Sequence, residues 1–358
     1  MDLREAPVLL IFGYPLKFDH FGGLVWIKRV TDYIEKNDLL SVRKVSSYFD
    51  PRKHSFQHIV HLRAVLKGCF TNPNIAILDT YGEASLLMWI LLRIFKPSAK
   101  IVTVFHHYEP KSVKHKKARL PTKIYSKLVD YFTRMMLNNS DNILTVSVTS
   151  SHQLDRLLTT SNRNKIAIVG CSSCNELSRL RTNRQRDLDF LCVGRIEKFD
   201  GLEDIWNIIK KENPKSKFVM VGHVTPKLRV QLYNIGIDHK GIVSEEEKLQ
   251  LYSRAKVFIF PSIFEGFGIA LTEAHAAGLS VVAWKLPVFE ERFGKESVNT
   301  VKLVEMGNTL QFAREAVASV RDWGKINQSQ NKYYEDLKIG KTWEQVGVDV
   351  TCVLNKLI

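Results

Sequence analysis

The sequence predicts an α/β protein made of two parallel-sheet domains in tandem. Three observations carry this: short continuous apolar runs, helical periodicity between them, and a restart of the alternation after a polar stretch near residue 180. Strands buried on both faces read as unbroken apolar runs, as expected for a parallel sheet covered by helices. The 358 residues match two domains at ~100–200 residues each.

The first run is Val8–Phe12, followed by a loop ending in Gly22 and Gly23 and a helical segment at Leu24–Lys36. Further strands are expected at Ile75–Leu78, Lys100–Phe105 and Asn142–Ser147. The most apolar stretch is ASLLMWILLRIF, residues 84–95, interrupted by Arg93. It is shorter than the ~20 residues of a membrane-spanning helix, so a helix buried against a sheet is expected. An Arg-rich stretch, SRLRTNRQRD at 178–187, divides the chain, and strands resume at Asp189–Val193, Lys217–Val221, Lys256–Phe260 and Ser280–Ala283. The expected organisation is a first domain over 1–172, a linker over 173–188, a second domain over 189–335, and a closing helix over 336–358 that crosses back towards the first. Open parallel sheets bind ligands beyond the carboxyl ends of their strands. Two such domains facing each other would form a cleft, with Gly13–Gly23 and Pro261–Gly268 as loops at strand ends.

Composition narrows the class. With 45% hydrophobic and 25% charged residues, the chain is globular rather than disordered. Its five cysteines include a lone Cys171-x-x-Cys174 pair, and a structural zinc site needs four ligands, so no metal is expected there. The N-terminus, MDLREAPVLLIFGYPL, places acids before a short apolar run. A secretory signal begins with a basic region, so a cytoplasmic location is expected. The net charge of +15 is uneven: residues 1–170 hold 25 Lys and Arg against 13 Asp and Glu, and residues 171–358 hold 27 against 24. The densest cluster, KSVKHKKARLPTKIYSK at Lys111–Lys127, precedes an apolar, aromatic stretch containing Tyr131, Phe132, Met135, Met136 and Leu137. Such a cluster attracts polyanions, either nucleic acid or an anionic membrane, and the plain alternative is a solvated face.

The chemistry concentrates in VFIFPSIFEGFGIALTEAHAAGLSVVA, residues 257–283. This reads as strand, turn at Pro261-Ser262, loop with two glycines around Phe267, helix from about Ile269 to Ala277, stop at Gly278, and strand. Gly266 and Gly268 let a ligand approach the backbone, and the helix start behind them offers N–H groups to a phosphate or sugar hydroxyl. Glu265 stands in the loop and Glu273 eight residues on, in the helix. A carboxylate accepts two hydroxyl hydrogen bonds at once, which suits the vicinal diols of ribose or hexose.

This run closely resembles the Glu-x7-Glu signature of retaining glycosyltransferases with the GT-B fold, glycosyltransferase family four or glycosyl transferases group one. The resemblance continues in FLCVGRIEKFDG at 190–201, KFVMVG at 217–222, GIVSEEEKLQLYSRAKVFIFPS at 241–262 and TWEQVGVDVTCVL in the closing helix. In the first domain it is carried by Gly22-Gly23, by IVTVFHH at 101–107 and by LTVSVTSS at 144–151. It implies two Rossmann-like domains facing each other across a cleft, and a hexose transferred from a nucleotide sugar to a glycan or lipid-linked acceptor. It further implies retention of configuration, no metal and no cofactor beyond the UDP- or GDP-type co-substrate.

By residue, the resemblance implies that Glu265 and the backbone at Gly266, Phe267, Gly268 and Ile269 hold the transferred sugar, and that Glu273 holds the ribose. Arg195, with Lys198, would neutralise the donor diphosphate. Family members carry Lys directly before the glycine where this chain has Asp200 before Gly201, and Lys198 lies two residues earlier. Backbone at Ile242 and Val243 would meet the nucleobase, Gly22 and Gly23 would lie beside the phosphates, and His106 or His107 would stand near the sugar. Within this reading the basic cluster would dock a peripheral enzyme on an anionic membrane. Nucleic acid is not an expected partner, since no RNA-binding signature with stacking aromatics is present. Two alternatives stay open: a nucleotide-sugar epimerase of the same fold, and a non-catalytic subunit that binds polyanions.

Overall fold

The structure, a computed structural model, describes residues 7–12, 22–37, 40–45, 57–80, 83–107, 120–172, 174–182, 185–194, 201–294, 300–324 and 341–358. The described residues of 7–12, 23–171 and 343–358 form one compact unit, and those of 172–342 form another.

The first unit begins with β1 (Val8–Phe12), α1 (Gly22–Lys36), β2 (Ser41–Val45), α2 (Gln57–Cys69), β3 (Ile75–Asp79) and α3 (Glu83–Phe95). It continues with β4 (Lys100–Phe105), α4 (Leu120–Asn138), β5 (Asn142–Thr145), α5 (Val148–Leu154) and β6 (Ile166–Ile168). Its six strands are parallel in the order β2-β1-β3-β4-β5-β6. The central strands β1, β3 and β4 are apolar and buried along most of their length, so both faces must be covered. Helix α3 packs beside α2 and α4 on one face, burying Met88, Trp89 and Leu92 against Leu10, Leu78 and Ile101.

The second unit begins with β7 (Leu188–Val193), α6 (Leu202–Glu212), β8 (Phe218–Val221), α7 (Pro226–Asn234), β9 (Asp238–Gly241) and α8 (Glu245–Arg254). Then come β10 (Ala255–Phe260), α9 (Ile269–Ala276), β11 (Ser280–Trp284), α10 (Pro287–Phe293), β12 (Val301–Val304) and α11 (Thr309–Arg321). This sheet is also parallel throughout, ordered β12-β11-β10-β7-β8-β9. That is the doubly wound order with a reversal between β7 and β10, the point where such sheets bind ligands. The two expected Rossmann-like domains are therefore present. The last helix, α12 (Trp343–Asn355), belongs to the first unit. It lies so close to α1 that a Cβ on Gly347 would fall 2.3 Å from the Tyr33 ring.

Four strands were not expected from the sequence: β2, β6, β9 and β12. All four are sheet edges. An edge strand is half-covered, so its side chains need not be uniformly apolar, and β9 reads DHKG. The expected strand Asn142–Ser147 ends at Thr145, because the Ser147 hydroxyl accepts the Ser150 N–H and caps α5.

The segment read as a linker is folded against the second unit. Asn175–Thr182 forms 3₁₀ turns, and the buried Arg186 guanidinium donates to the carbonyls of Tyr252 (2.9 Å), Ala255 and Ala277 (2.7 Å). Burial lowers this guanidinium to about 10. Its carbonyl partners satisfy a charge that would be costly if left alone. Cys171 and Cys174 are buried thiols, and the Cys174 Sγ–H donates to the Ser172 carbonyl at 3.8 Å.

Candidate functional site

In the second unit, β7, β8 and β10 lie side by side, and the residues that follow β7 and β8 are glycines. Gly194 follows β7 and Gly222 follows β8. Gly222 has φ +132°, and a Cβ there would meet the Gly194 carbonyl oxygen at 1.9 Å. The two strand ends thus touch backbone to backbone at Gly194 and Gly222, with no side chain on either glycine.

After β10 the chain runs through Pro261–Gly268 into α9. Gly268 is the N-cap of α9 with φ +80°, and no side chain caps the helix. A Cβ at Gly268 would sit 2.6 Å from Cε1 of Phe289 on α10, so both the left-handed backbone and the space require glycine. Arg292, also on α10, stacks on the Phe267 ring at 3.7 Å. It donates to the Phe267 carbonyl (3.0 Å) and to the Thr272 hydroxyl (2.6 Å), and Thr272 in turn donates to the Gly268 carbonyl (2.9 Å). Helix α10 therefore holds the loop in one shape.

Glu265 is half-buried in that loop, and Ser262 donates its hydroxyl to Oε1 at 2.9 Å. Burial pushes this carboxyl up to about 7, against the lowering effect of Ser262. Close to neutral pH the group therefore exists both as an acceptor-only carboxylate and as an acid able to donate.

Glu273 lies one turn into α9 with its side chain 13% exposed. Lys248 donates to Oε1 and Oε2, both at 3.1 Å, and Tyr252 donates to Oε2 at 3.0 Å. Burial raises the Glu273 carboxyl and the Lys248 charge opposes that. Lys248 is held above its ordinary value: burial works against its charge, and Glu273 and Glu245 outweigh it. Burial keeps the Tyr252 phenol protonated, hence a donor. A carboxylate has about four lone-pair sites, and three are taken by these bonds.

The sequence reading named Glu265, Glu273 and the glycines, and missed Ser262, Lys248, Tyr252 and Arg292. One signal was available: Lys248 and Tyr252 are four apart on a helix, so they reach the same point. Nothing in the sequence ties Arg292 to Phe267. His275 is buried, bonded to the Thr300 hydroxyl at 3.0 Å, and lowered to about 3 by burial. It packs rather than faces a ligand. Ile242 is exposed and Val243 half-buried, just past β9. Arg195 and Lys198 lie outside the described residues.

Gly22 opens α1, and in the first unit Gly23 lies against His106: a Cβ there would be 3.1 Å from the imidazole Nε2. His106, the residue after β4, is buried edge-on to Trp26 with ring centroids 5.8 Å apart. Its carbonyl accepts the Ser150 hydroxyl at 2.6 Å. Burial, with His107 adding to it, lowers His106 to about 3, so it is neutral at physiological pH. His107 is less buried. The structure brings Gly23 and His106 together and leaves His107 as the more accessible ring.

Residues 176–330 match the family described as glycosyl transferases group 1, which covers most of the second unit. An uncharacterised glycosyltransferase of Methanocaldococcus jannaschii is 27% identical over 172 residues, 46% of this chain and 43% of that protein. An O-antigen chain mannosyltransferase of Salmonella typhimurium is 25% identical over 173 residues, 45% of this chain and 47% of that protein. The chain spans about half the length of the curated relatives it matches. Over nearly its whole length it resembles the sucrose-phosphate synthase of Thermosynechococcus elongatus, with TM-score 0.74 and 16% identity, covering 98% of this chain and 99% of that one. It likewise resembles Anabaena HepE in complex with UDP and glucose, with TM-score 0.68 and 12% identity, covering 98% and 100%. These similarities show the GT-B fold.

Proposed function

We propose that the chain is a retaining, metal-independent hexosyltransferase using a UDP- or GDP-linked sugar and a glycan or lipid-linked acceptor, at a cytoplasmic site. The observation that carries this reading is the Pro261–Gly268 loop. It stands at the reversal point of the second sheet, presents Glu265 beside a helix start free of any side-chain cap, and lies within the residues that match the glycosyltransferase family.

Glycosyl transfer builds positive charge on the sugar ring and negative charge on the departing diphosphate. Three features of this chain would answer the negative charge: the N–H groups at the start of α9, Arg195 and Lys198. The N–H groups of α9 would do so without reorganising during the reaction, since α10 already holds the loop before them through Arg292. Glu265, once ionised, and the backbone from Gly266 to Ile269 would hold sugar hydroxyls. Glu273 would use its remaining lone pair for one hydroxyl of the ribose, with Lys248 and Tyr252 fixing its orientation. Ile242 and Val243 would contribute backbone to the base. At the start of α1, Gly22 and Gly23 would border the phosphates, and either His106, which is neutral, or His107 would meet the sugar.

The test is a transfer assay with labelled UDP- and GDP-hexoses against glycan and lipid-linked acceptors. Glu265→Ala and Arg195→Ala should each lose at least ~100-fold in turnover, the scale of removing one electrostatic contact, while keeping their melting temperatures. Full activity in both variants would remove the assignment. Turnover of the nucleotide sugar without acceptor would instead indicate the epimerase.

A further inference from the structure

The three helices α2, α3 and α4 cover one face of the first sheet, and their outward side is unusual. Large apolar side chains stand in water on all three: Phe70 just beyond α2 is 86% exposed, Phe95 at the end of α3 66%, and Leu120 at the start of α4 69%. Helix α4 organises them best. At about 100° per residue, the exposed Leu120, Ile124, Leu128 and Tyr131 fall within an arc of about 80°. Exposed Lys123, Lys127 and Arg134 form a stripe along one edge of that arc. The opposite side of the helix carries the buried Ser126, Asp130, Thr133, Met136 and Leu137. The exposed apolar stripe is therefore surplus to folding.

Charge completes the pattern. Helices α2 to α4 contain six Lys and Arg, of which Arg93 is engaged with Asp141, against two acids, Glu83 and the buried Asp130. A contiguous exposed apolar patch marks an interaction surface rather than an ordinary one. Basic residues bordering such a patch select a partner that is apolar beneath an anionic surface. A single-stranded nucleic acid would instead call for aromatic platforms among the cations, and this stripe is mostly aliphatic.

We propose that the α2–α4 face of the first unit docks on an anionic lipid surface, with Leu120, Ile124 and Leu128 entering the headgroup boundary. Lys123, Lys127 and Arg134 pair with lipid phosphates. Among the described residues no helix is long and apolar enough to cross a membrane, so this is attachment parallel to the surface. The docking deepens the proposed function by placing the enzyme where lipid-linked acceptors lie. It is read by binding alone, so its failure leaves the donor chemistry untouched, and the reverse.

The experiment is co-sedimentation of the full chain with phosphatidylcholine vesicles, with and without about a quarter phosphatidylglycerol. Binding should require the anionic lipid and weaken as added salt shortens the Debye length. Lys123→Glu with Lys127→Glu should reduce the partition coefficient by at least ~25-fold, at roughly fivefold per lysine. Ile124→Glu with Leu128→Glu should reduce it by at least ~10-fold, since two apolar contacts are lost. Because all four positions are exposed, both double variants should keep the parent's circular-dichroism melt. Equal binding to zwitterionic vesicles overturns the proposal, as does anionic binding unchanged in either double variant. Single-stranded RNA binding without vesicle binding, or a dimer dissolved by Ile124→Glu with Leu128→Glu, also overturns it.

Discussion

The two units share a plan, six parallel strands wrapped by helices, yet their sequences are organised for opposite ends. In the second unit the constraint falls on the carboxyl edge of the sheet. Gly222 touches Gly194 backbone to backbone, Gly268 has room for nothing beyond hydrogen against Phe289, and Arg292 locks the loop that carries Glu265. In the first unit the corresponding glycine, Gly23, has an ordinary φ and leaves 3.1 Å to a side chain that can shift. There the unusual feature is on the helices, where apolar and basic residues face outward together. One unit has a tightly built backbone edge, where the proposed function places the nucleotide sugar, and the other presents a surface.

If that contrast is right, adding one methyl group should hurt the second unit far more than the first. Gly222→Ala forces a Cβ against a backbone oxygen in a left-handed conformation. It should cost about 3 kcal/mol or more, read from urea unfolding with probes in each unit, because two domains need not unfold together. Gly268→Ala should follow at about 2–3 kcal/mol, since Phe289 can yield partly. A loss under 1 kcal/mol in both would show that the edge is not tightly built.

Breaking the Glu273 cluster comes next. Lys248→Met removes the cation from a largely buried carboxylate and should cost about 2 kcal/mol at pH 7. Nucleotide affinity should fall with it. A double-mutant cycle with Glu273→Gln should show coupling; additive losses would mean Lys248 does not orient Glu273.

The pH dependence sharpens the comparison further, because each unit buries one neutral histidine. His106 and His275 titrate at about 3 in the fold, against ~6.5 unfolded. The unfolded chain therefore binds the extra proton between these values, and stability falls as pH drops below ~6.5, by up to about 2 kcal/mol per histidine at pH 5. Glu265, raised to about 7, runs the other way: its contribution improves as pH falls from ~7 towards ~4.5, because the folded state takes up the proton. His275→Asn should flatten the acid limb of the second unit and Glu265→Gln should steepen it. No change in either profile would contradict these environments. Smallest of all, Gly23→Ala should cost under about 1 kcal/mol, by nudging His106.

How much of this could be read beforehand follows the same division. The central strands of both sheets were legible because burial on two faces forces continuous apolar runs, as in VFIF of β10 and VVA of β11. The edge strands were not, because DHKG in β9 and SVRKV in β2 are held by backbone bonds that leave no apolar trace. Glu265 and Glu273 were singled out through the resemblance of the whole 257–283 run, whereas Gly268 has a backbone reason of its own, the left-handed turn into α9. Arg292 was not legible, since its reach to Phe267 and Thr272 depends on where α10 lands. The exposed stripe of α4 could be suspected from its lysines, but only the packing of Ser126, Thr133 and Met136 shows which side faces out.

The central claim is that the second unit binds a nucleotide sugar through the Glu265 loop and Glu273. The most direct test is calorimetric titration of the full chain with UDP, GDP and their hexose conjugates, repeated on Glu265→Ala and Glu273→Ala. The expected result is saturable binding of one carrier, a sugar contribution lost in Glu265→Ala, and about tenfold weaker nucleotide binding in Glu273→Ala, as for a single charge-assisted hydrogen bond. Absence of binding by every carrier, or equal affinity in parent and both variants, would contradict it.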